Sequence, residues 1–288
     1  MIALTSLDLK ARQFSHFALA GGGNRCWWQA GFLEVLLDQA RVKPERLVGA
    51  SAGAAIATAL ITQRVRQALE AASEKFGQTA RNVDWRLLLR GQRPFAMPRI
   101  YPEWIQTFLG PDQWPIFKKS ASKIDVVITR PLPGIPLTLS TLLALGLYST
   151  EKFWLKNFHS RLPHCLGLRA EYLDLTGADD LQTAHIYLLA SAAAVPITPA
   201  HRVHGRPALD GGFYDSVPLP QNRENDEHTL VLLTRHNPRN PNIFELNQRV
   251  YVQPSAPVDA SNFDCTDGIS IQKTYLQGQR EACALLAC

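Results

Sequence analysis

The order of apolar and polar positions divides the first part of the chain into repeated units. From Phe14 to Ala20 (FSHFALA) a short apolar run meets Gly21-Gly22-Gly23, and beyond it Trp27, Ala30, Phe32, Leu33, Leu36, Leu37 and Ala40 recur at helical spacing. The pattern predicts a strand, a glycine turn and a helix. Arg46-Leu47-Val48, leading into Gly49-Ala50-Ser51-Ala52-Gly53 and an alanine-rich run to Thr62, repeats the same grammar. Two strand-turn-helix units in close succession predict an α/β fold with a mainly parallel central sheet flanked by helices.

Sheet-like sequence returns at Ile124–Thr129 (IDVVIT), Thr229–Thr234 (TLVLLT) and Arg249–Gln253 (RVYVQ), while His201 and His204 flank a hairpin signal at Gly205. Ala184–Val195 predicts a small-residue helix stopped by Pro196, and Gly268–Leu286 a C-terminal helix with a polar face. The leucine-rich run Leu137–Leu147 and Trp154 read as buried core. Arg81 to Arg130 differs in kind, because prolines at 94, 98, 102, 111 and 115 interrupt it and Trp85, Trp104 and Trp114 stand among charged residues. A surface-wrapping, lid-like insertion at about 81–123 is the expectation.

Composition bounds the architecture. With 288 residues, 46% apolar and 19% charged, the chain has ample material for a core, and disorder is ruled out. At ~150 residues per domain the prior is near two, yet single α/β domains of this length are common. The expected organisation is one domain over 1–288, with its motifs at about 14–220 and C-terminal strands and helix over 229–288.

Thirty Lys+Arg against twenty-five Asp+Glu leave a net charge of +5, which suits an anionic surface or acidic solute better than a nucleic-acid footprint. Cys26, Cys165, Cys265, Cys283 and Cys288 are scattered, with no C-x-x-C and no zinc-like spacing, so a reduced compartment and no metal or cofactor are expected. Met1 to Arg12 has no signal-peptide layout, and no apolar run approaches ~18 residues. A cytoplasmic protein without a membrane span is the expectation.

Three short motifs carry candidate chemistry. Gly49-Ala50-Ser51-Ala52-Gly53 fits G-x-S-x-G, a sharp strand-to-helix turn that lifts a serine hydroxyl clear of the sheet and sets it at a helix N-terminus. Gly21-Gly22-Gly23-Asn24-Arg25 offers amides unshielded by side chains, suited to an oxyanion, with a fixed cation beside them. A dinucleotide loop competes for that motif, but Cys26 stands where G-x-G-x-x-G needs glycine. Asp210-Gly211-Gly212 supplies a carboxylate at a tight bend, which alone also reads as an Asp-Gly turn.

In order, GGGNR, GASAG and DGG, with Ser191-Ala192-Ala193-Ala194-Val195-Pro196 shortly before DGG, resemble the patatin-like phospholipase family over roughly residues 14 to 220. The resemblance implies a three-layer α/β/α fold and a serine lipid acyl hydrolase. It makes Ser51 the nucleophile and Asp210 the base of a dyad without histidine, with Gly49 and Gly53 shaping the elbow and Gly211 and Gly212 the turn after Asp210. Gly21, Gly22, Gly23 and Arg25 would form the oxyanion loop. Cys26 departs from the family's usual glycine after the basic residue, which bears on the loop's shape; it reads as a reactive thiol or a small buried hydrophobe.

Two other classes stay open. A Ser-Asp-His hydrolase would draw on His201, His204, His228 or His236 with Asp174 or Asp210 as acid, although it leaves GGGNR and DGG unexplained. A lipid-binding protein with a damaged site is the non-enzyme reading. The implied substrate is a phospholipid or other fatty-acyl ester, its chain lined by Leu137–Leu147 and Trp154 if these are not core. Arg81–Arg130 holds nine basic and four acidic residues, so with its tryptophans it is the expected contact with a membrane surface.

Overall fold

The computed structural model describes residues 1–39, 42–151 and 158–286, so Ala40, Trp154 and Cys288 lie outside the described residues. In chain order the elements begin with β1 (Ile2–Ala3), α1 (Ser6–Ala11), β2 (His16–Leu19), α2 (Cys26–Gln39), β3 (Arg46–Ala50), α3 (Ala52–Ile61) and α4 (Val65–Gly77). Next come α5 (Met97–Phe108), α6 (Trp114–Lys118), β4 (Lys123–Arg130), α7 (Leu137–Ser149), α8 (Leu162–Cys165), β5 (Arg169–Asp174) and α9 (Leu181–Ser191). The chain continues with β6 (His201–Val203), β7 (Arg206–Asp210), β8 (Thr229–Leu232), β9 (Ile243–Leu246), β10 (Arg249–Val252) and α10 (Gly268–Leu286).

Alternation along the central strands sorts side chains by size. Phe17, Leu19, Leu47, Ile124, Val126, Leu230 and Leu232 point to one face, where α2, α3, α4, α5, α9 and α10 build the main core. Ala18, Ala20, Val48, Ala50, Val127 and Val231 point to the other, under Val217, Leu219 and Phe158. Helices α7 and α8 lie on the far side of the DGG segment, and the whole is a three-layer α/β/α arrangement around a mostly parallel centre.

The sheet runs β1-β9-β10-β8-β2-β3-β4-β7-β6, with β5 also on β4. Strands β10, β8, β2, β3 and β4 are parallel to their neighbours in that row. From β2 the chain moves through β3 to β4 on one side, and later through β8 to β10 on the other. The carboxyl ends of β2 and β8 therefore bound the point where strand order reverses, the usual place for a binding crevice in open α/β sheets.

Three expectations need correction. The predicted helix 184–195 spans Leu181–Ser191 and stops four residues early, which frees Ala192–Val195 to cross under β7. The region 81–123 is a surface wrapping only in part: Trp85 stays exposed, but Trp104, 7% exposed, sits in the core against Trp27 and Phe108, and its indole donates to the Ala68 carbonyl (2.8 Å). Helix α5 has the strong apolar stripe that proline counting obscured, since Pro98 and Pro102 lie in and just after its first turn.

The leucine-rich run is helical but inverted. Ser140, Thr141 and Ala144 face inward while Leu139, Leu142 (61% exposed), Leu143 and Leu145 face out. Ala144 meets Leu168, Leu209 and Phe213, a close approach that a leucine would block. Strands β5 and β9 were not anticipated, because charged residues interrupt each where the predicted strands read as apolar runs. Among the described residues no helix is long and apolar enough to cross a membrane.

Candidate active site

Strand β3 ends at Ala50, and Ser51 takes φ 54° and ψ −130° before α3 begins. A non-glycine residue in this left-handed region costs on the order of 1–3 kcal/mol, so surrounding structure must hold it. Ser191, at the end of α9, does so: its hydroxyl accepts from the Ser51 N–H (2.8 Å) and donates to the Val127 carbonyl (2.6 Å). No role for Ser191 was legible beyond its place in the SAAAVP run. A Cβ at Gly53 would stand 2.6 Å from the Leu19 carbonyl, so only glycine lets α3 seat against the end of β2 and bring the glycine loop beside the elbow.

Asp210 reaches the same place through strand register. Strand β5 pairs along one edge of β4 from Asp125 to Arg130, so β3 and β7 must share the other. Ala50 pairs with Val127, and the next position, Ile128, pairs with Asp210. Strand β7 thus takes over the edge of β4 where β3 peels away at Ser51. The Asp210 N–H donates to the Ala193 carbonyl (2.7 Å) and its carbonyl accepts from Thr129 Oγ1 (2.7 Å), which fixes the backbone.

The carboxylate accepts from the Gly212 N–H (2.7 Å) and interacts with the Ser51 side chain. Burial pushes its pKa up to about 6, against the smaller downward pull of Ser51 and Gly212. An ordinary aspartate, at ~3.9, is a poor proton acceptor for a serine, and this shift moves Asp210 toward that task.

The glycine loop narrows the expected donor set. The Gly21 N–H already donates to the Ser216 carbonyl (2.8 Å), which removes it as an oxyanion donor. The N–H groups of Gly22 and Gly23 have no hydrogen-bond partner among the described residues. Arg25 does not line the pocket at Ser51; its charge interacts instead with Arg235 and Tyr148, on the other side of the loop. Cys26 is buried with its thiol on the Ala20 carbonyl (3.4 Å), and burial pushes its pKa up to about 12, so it is a packed hydrophobe at neutral pH.

The model of the patatin-like phospholipases matches residues 17–222, from β2 to the segment beyond DGG. The chain belongs to that family. No curated protein matches it at a significant level. Membership supports lipid acyl hydrolase activity and a lipid ester as the chemical class of substrate.

In this patatin-like chain Ser51 opens into a tight apolar cleft of about 60 Å³, walled by Trp27, Ile56, Met97, Tyr101, Trp104 and Phe263. Three of these come from α5, so the segment expected as a lid supplies a wall. Its Tyr101 hydroxyl is buried without a hydrogen-bond partner among the described residues, and burial followed by the charge of Asp210 pushes the phenol's pKa far up, keeping it a neutral donor. Leaving such a group unpaired costs ~1–3 kcal/mol, which a polar group of a bound molecule would offset. Sequence reasoning missed Tyr101, since nothing distinguishes a tyrosine between two prolines.

The histidines considered for a triad go elsewhere. His204 bonds the Tyr187 hydroxyl (3.0 Å), His228 the Gln13 carbonyl (3.1 Å) and His236 the Pro254 carbonyl (2.9 Å), while His201 lies on β6. Asp174 closes a turn through Thr176 (2.6 Å) and Gly177 (2.8 Å). His159 does pair with Asp215 (2.8 Å), but its other ring nitrogen bonds the Tyr251 hydroxyl (2.9 Å). Among the described residues no group of three or more His, Cys, Asp or Glu is placed to hold a metal.

Proposed function

We propose that this protein is a serine lipid acyl hydrolase of the phospholipase A or lysophospholipase type, working through a Ser51–Asp210 dyad without a metal. The observation that carries the reading is the strained serine beside a carboxylate whose pKa is pushed up to about 6. Asp210 takes the Ser51 hydroxyl proton as Oγ bonds to the ester carbon. The N–H groups of Gly22 and Gly23 meet the oxyanion, and Tyr101 supplies a further donor in the cleft.

Collapse of the tetrahedral intermediate breaks the ester bond, and Asp210 returns the proton to the departing alcohol. Water then attacks the acyl-enzyme, giving a proton to Asp210 and releasing the fatty acid as Ser51 is reprotonated. The same reading treats residues 1–288 as one domain, because β8, beyond residue 222, pairs with β2 and carries β10 on its other edge.

The membrane contact belongs to one part of the basic segment. Trp85 (64% exposed), Leu88 and Leu89 stand out on the short turn Trp85–Arg90, interleaved with Arg86 and Arg90. Asn82, just before it, binds the loop at the mouth of the cleft: its amide donates to Asp264 (2.9 Å) and accepts from the Cys265 N–H (2.6 Å), next to the exposed Phe263. Tryptophan and arginine at headgroup depth would bring the mouth to the lipid.

Fluorophosphonate labelling followed by peptide mapping, together with fatty-acid release from lysophospholipid in the presence of EDTA, tests the proposal. Labelling of Ser51 and chelator-resistant release are expected. Labelling elsewhere, or turnover that only calcium restores, would overturn it.

A further inference from the structure

A second cavity, of about 490 Å³, opens at the carboxyl ends of β2, β8 and β10, where the strand order reverses. Its walls include Tyr148, Thr234, Arg235, His236 and Arg239, and none of the described residues that line it is acidic. The loop after β8 that carries the cations is held by the buried Gln253. Its amide donates to the Asn237 (3.0 Å) and Asn240 (3.1 Å) carbonyls and accepts from the Asn237 N–H (3.0 Å). The cations therefore stand on a pre-formed frame.

Positive charge converges there at a cost. Arg235 donates to the Tyr148 hydroxyl (3.0 Å), and Arg25 lies close enough that Arg235, after burial, lowers its pKa to about 10. Arg25 Nε and Nη2 are buried without hydrogen-bond partners among the described residues. Arg25 is not among the residues that line the cavity, so an anion there would offset the repulsion between the two guanidinium groups.

The cavity also adjoins the reacting centre. Gly21 lines it, and a Cβ at Gly21 would lie 3.6 Å from Ser51 Cβ; Thr234 Oγ1 donates to the Gly21 carbonyl (3.2 Å). Gly23, two residues on, lines the apolar cleft instead. The glycine loop is a partition, with an apolar space on one side and a cationic one on the other.

We propose that this second cavity binds the phosphate of the substrate's alcohol half, while the acyl chain occupies the cleft. The assignment rests on the hydrolase reading and gives the phosphate of its phospholipid substrate a place in the structure. Arg235 and Arg239 are the expected phosphate ligands, Arg25 adds charge from behind, and His236 and Thr234 border the site.

Calorimetric titration of glycerol 3-phosphate and, separately, inorganic phosphate into wild-type and Arg235→Gln/Arg239→Gln proteins reads the site without hydrolysis. Glycerol 3-phosphate should bind, and its affinity should fall by about tenfold or more in the double variant, the scale of losing charge-assisted bonds. In kinetics it should compete with lysophospholipid. The ratio of kcat/KM for lysophospholipid to that for a nitrophenyl ester of equal acyl length should drop by a similar factor. Arg239→Gln alone, at an exposed position, should move both readouts the same way and serves if the double variant is misfolded by circular dichroism.

Absence of glycerol 3-phosphate binding, or an unchanged ratio, overturns the proposal. Inorganic phosphate that binds without competing with lysophospholipid would make this a free-anion site and overturn the headgroup assignment. Binding of glycerol 3-phosphate by a protein that cleaves no ester would uphold the phosphate site and remove the hydrolase reading instead.

Discussion

On one side of the glycine loop lies a tight cleft of about 60 Å³ with aromatic walls, and on the other a cavity of about 490 Å³ bordered by arginines. Both lie at the carboxyl ends of parallel strands, the cleft beyond β2 and β3 and the cavity beyond β2, β8 and β10, so the sheet alone does not decide their character. The covering elements do. Helix α5 lays Met97, Tyr101 and Trp104 over the cleft, whereas the loop after β8 presents Arg235, His236 and Arg239 to the other space. One rigid centre thus borders two spaces of different character, and each side can be altered separately.

The largest effects should come from the shared centre. Ser51→Ala should abolish hydrolysis of esters with and without phosphate, and Asp210→Asn should lower it by ~100-fold or more, since the amide cannot accept the serine proton. His201→Ala and His204→Ala should stay within a few fold on a nitrophenyl ester. A folded His variant as inactive as Ser51→Ala would replace the dyad by a triad and detach the glycine-loop comparison from catalysis.

The pH profile follows from the same carboxylate. Asp210 accepts a proton only when ionised, so with its pKa pushed up to about 6, kcat/KM should be flat above pH 7 and fall by about tenfold per unit below pH 5. An ordinary aspartate would hold activity down to pH 4, and a profile of that form would show that burial does not tune this base.

The apolar side is sharpened by two milder changes. Removing both Arg86 and Arg90 charges (Arg86→Gln/Arg90→Gln) should weaken binding to anionic vesicles by roughly 30-fold, at about 1 kcal/mol per basic residue near the surface. Vesicle sedimentation should show that loss shrinking as salt rises. If Leu142→Gln/Leu143→Gln on α7 reduces binding more, the inverted leucine helix is the contact in place of Trp85–Arg90.

Tyr101→Phe gives the smallest effect. It should lower kcat several-fold, about one neutral hydrogen bond's worth, while Tm stays level or rises because the lost hydroxyl was unpaired. A fall in Tm with kcat unchanged would mark Tyr101 as structural.

Much of the centre was legible before folding was considered. G-x-S-x-G after an apolar run locates the elbow because few turns other than strand-to-helix place a serine between two glycines. The near-continuous apolar runs of β2, β4 and β8 mark strands buried on both faces, as in a parallel sheet, for the same local reason. Ser191 and Tyr101 were not legible, since hydrogen bonding by a lone serine or tyrosine depends on what stands opposite. The leucine helix misled because burial was inferred from composition, and close packing of Ala144 on Phe213 reversed its faces.

By itself, then, the sequence determined the short-range features: the strand-turn-helix units, a serine at a sharp elbow, the glycine loop and a carboxylate at a tight bend, all set by steric limits among a few neighbouring residues. Tertiary structure alone decided that β7 takes the edge of β4 where β3 leaves it, that Gly21's amide is already engaged, and that Arg25 faces Arg235. These depend on register and on which groups compete for the same space, and neither is a property of any local stretch of chain.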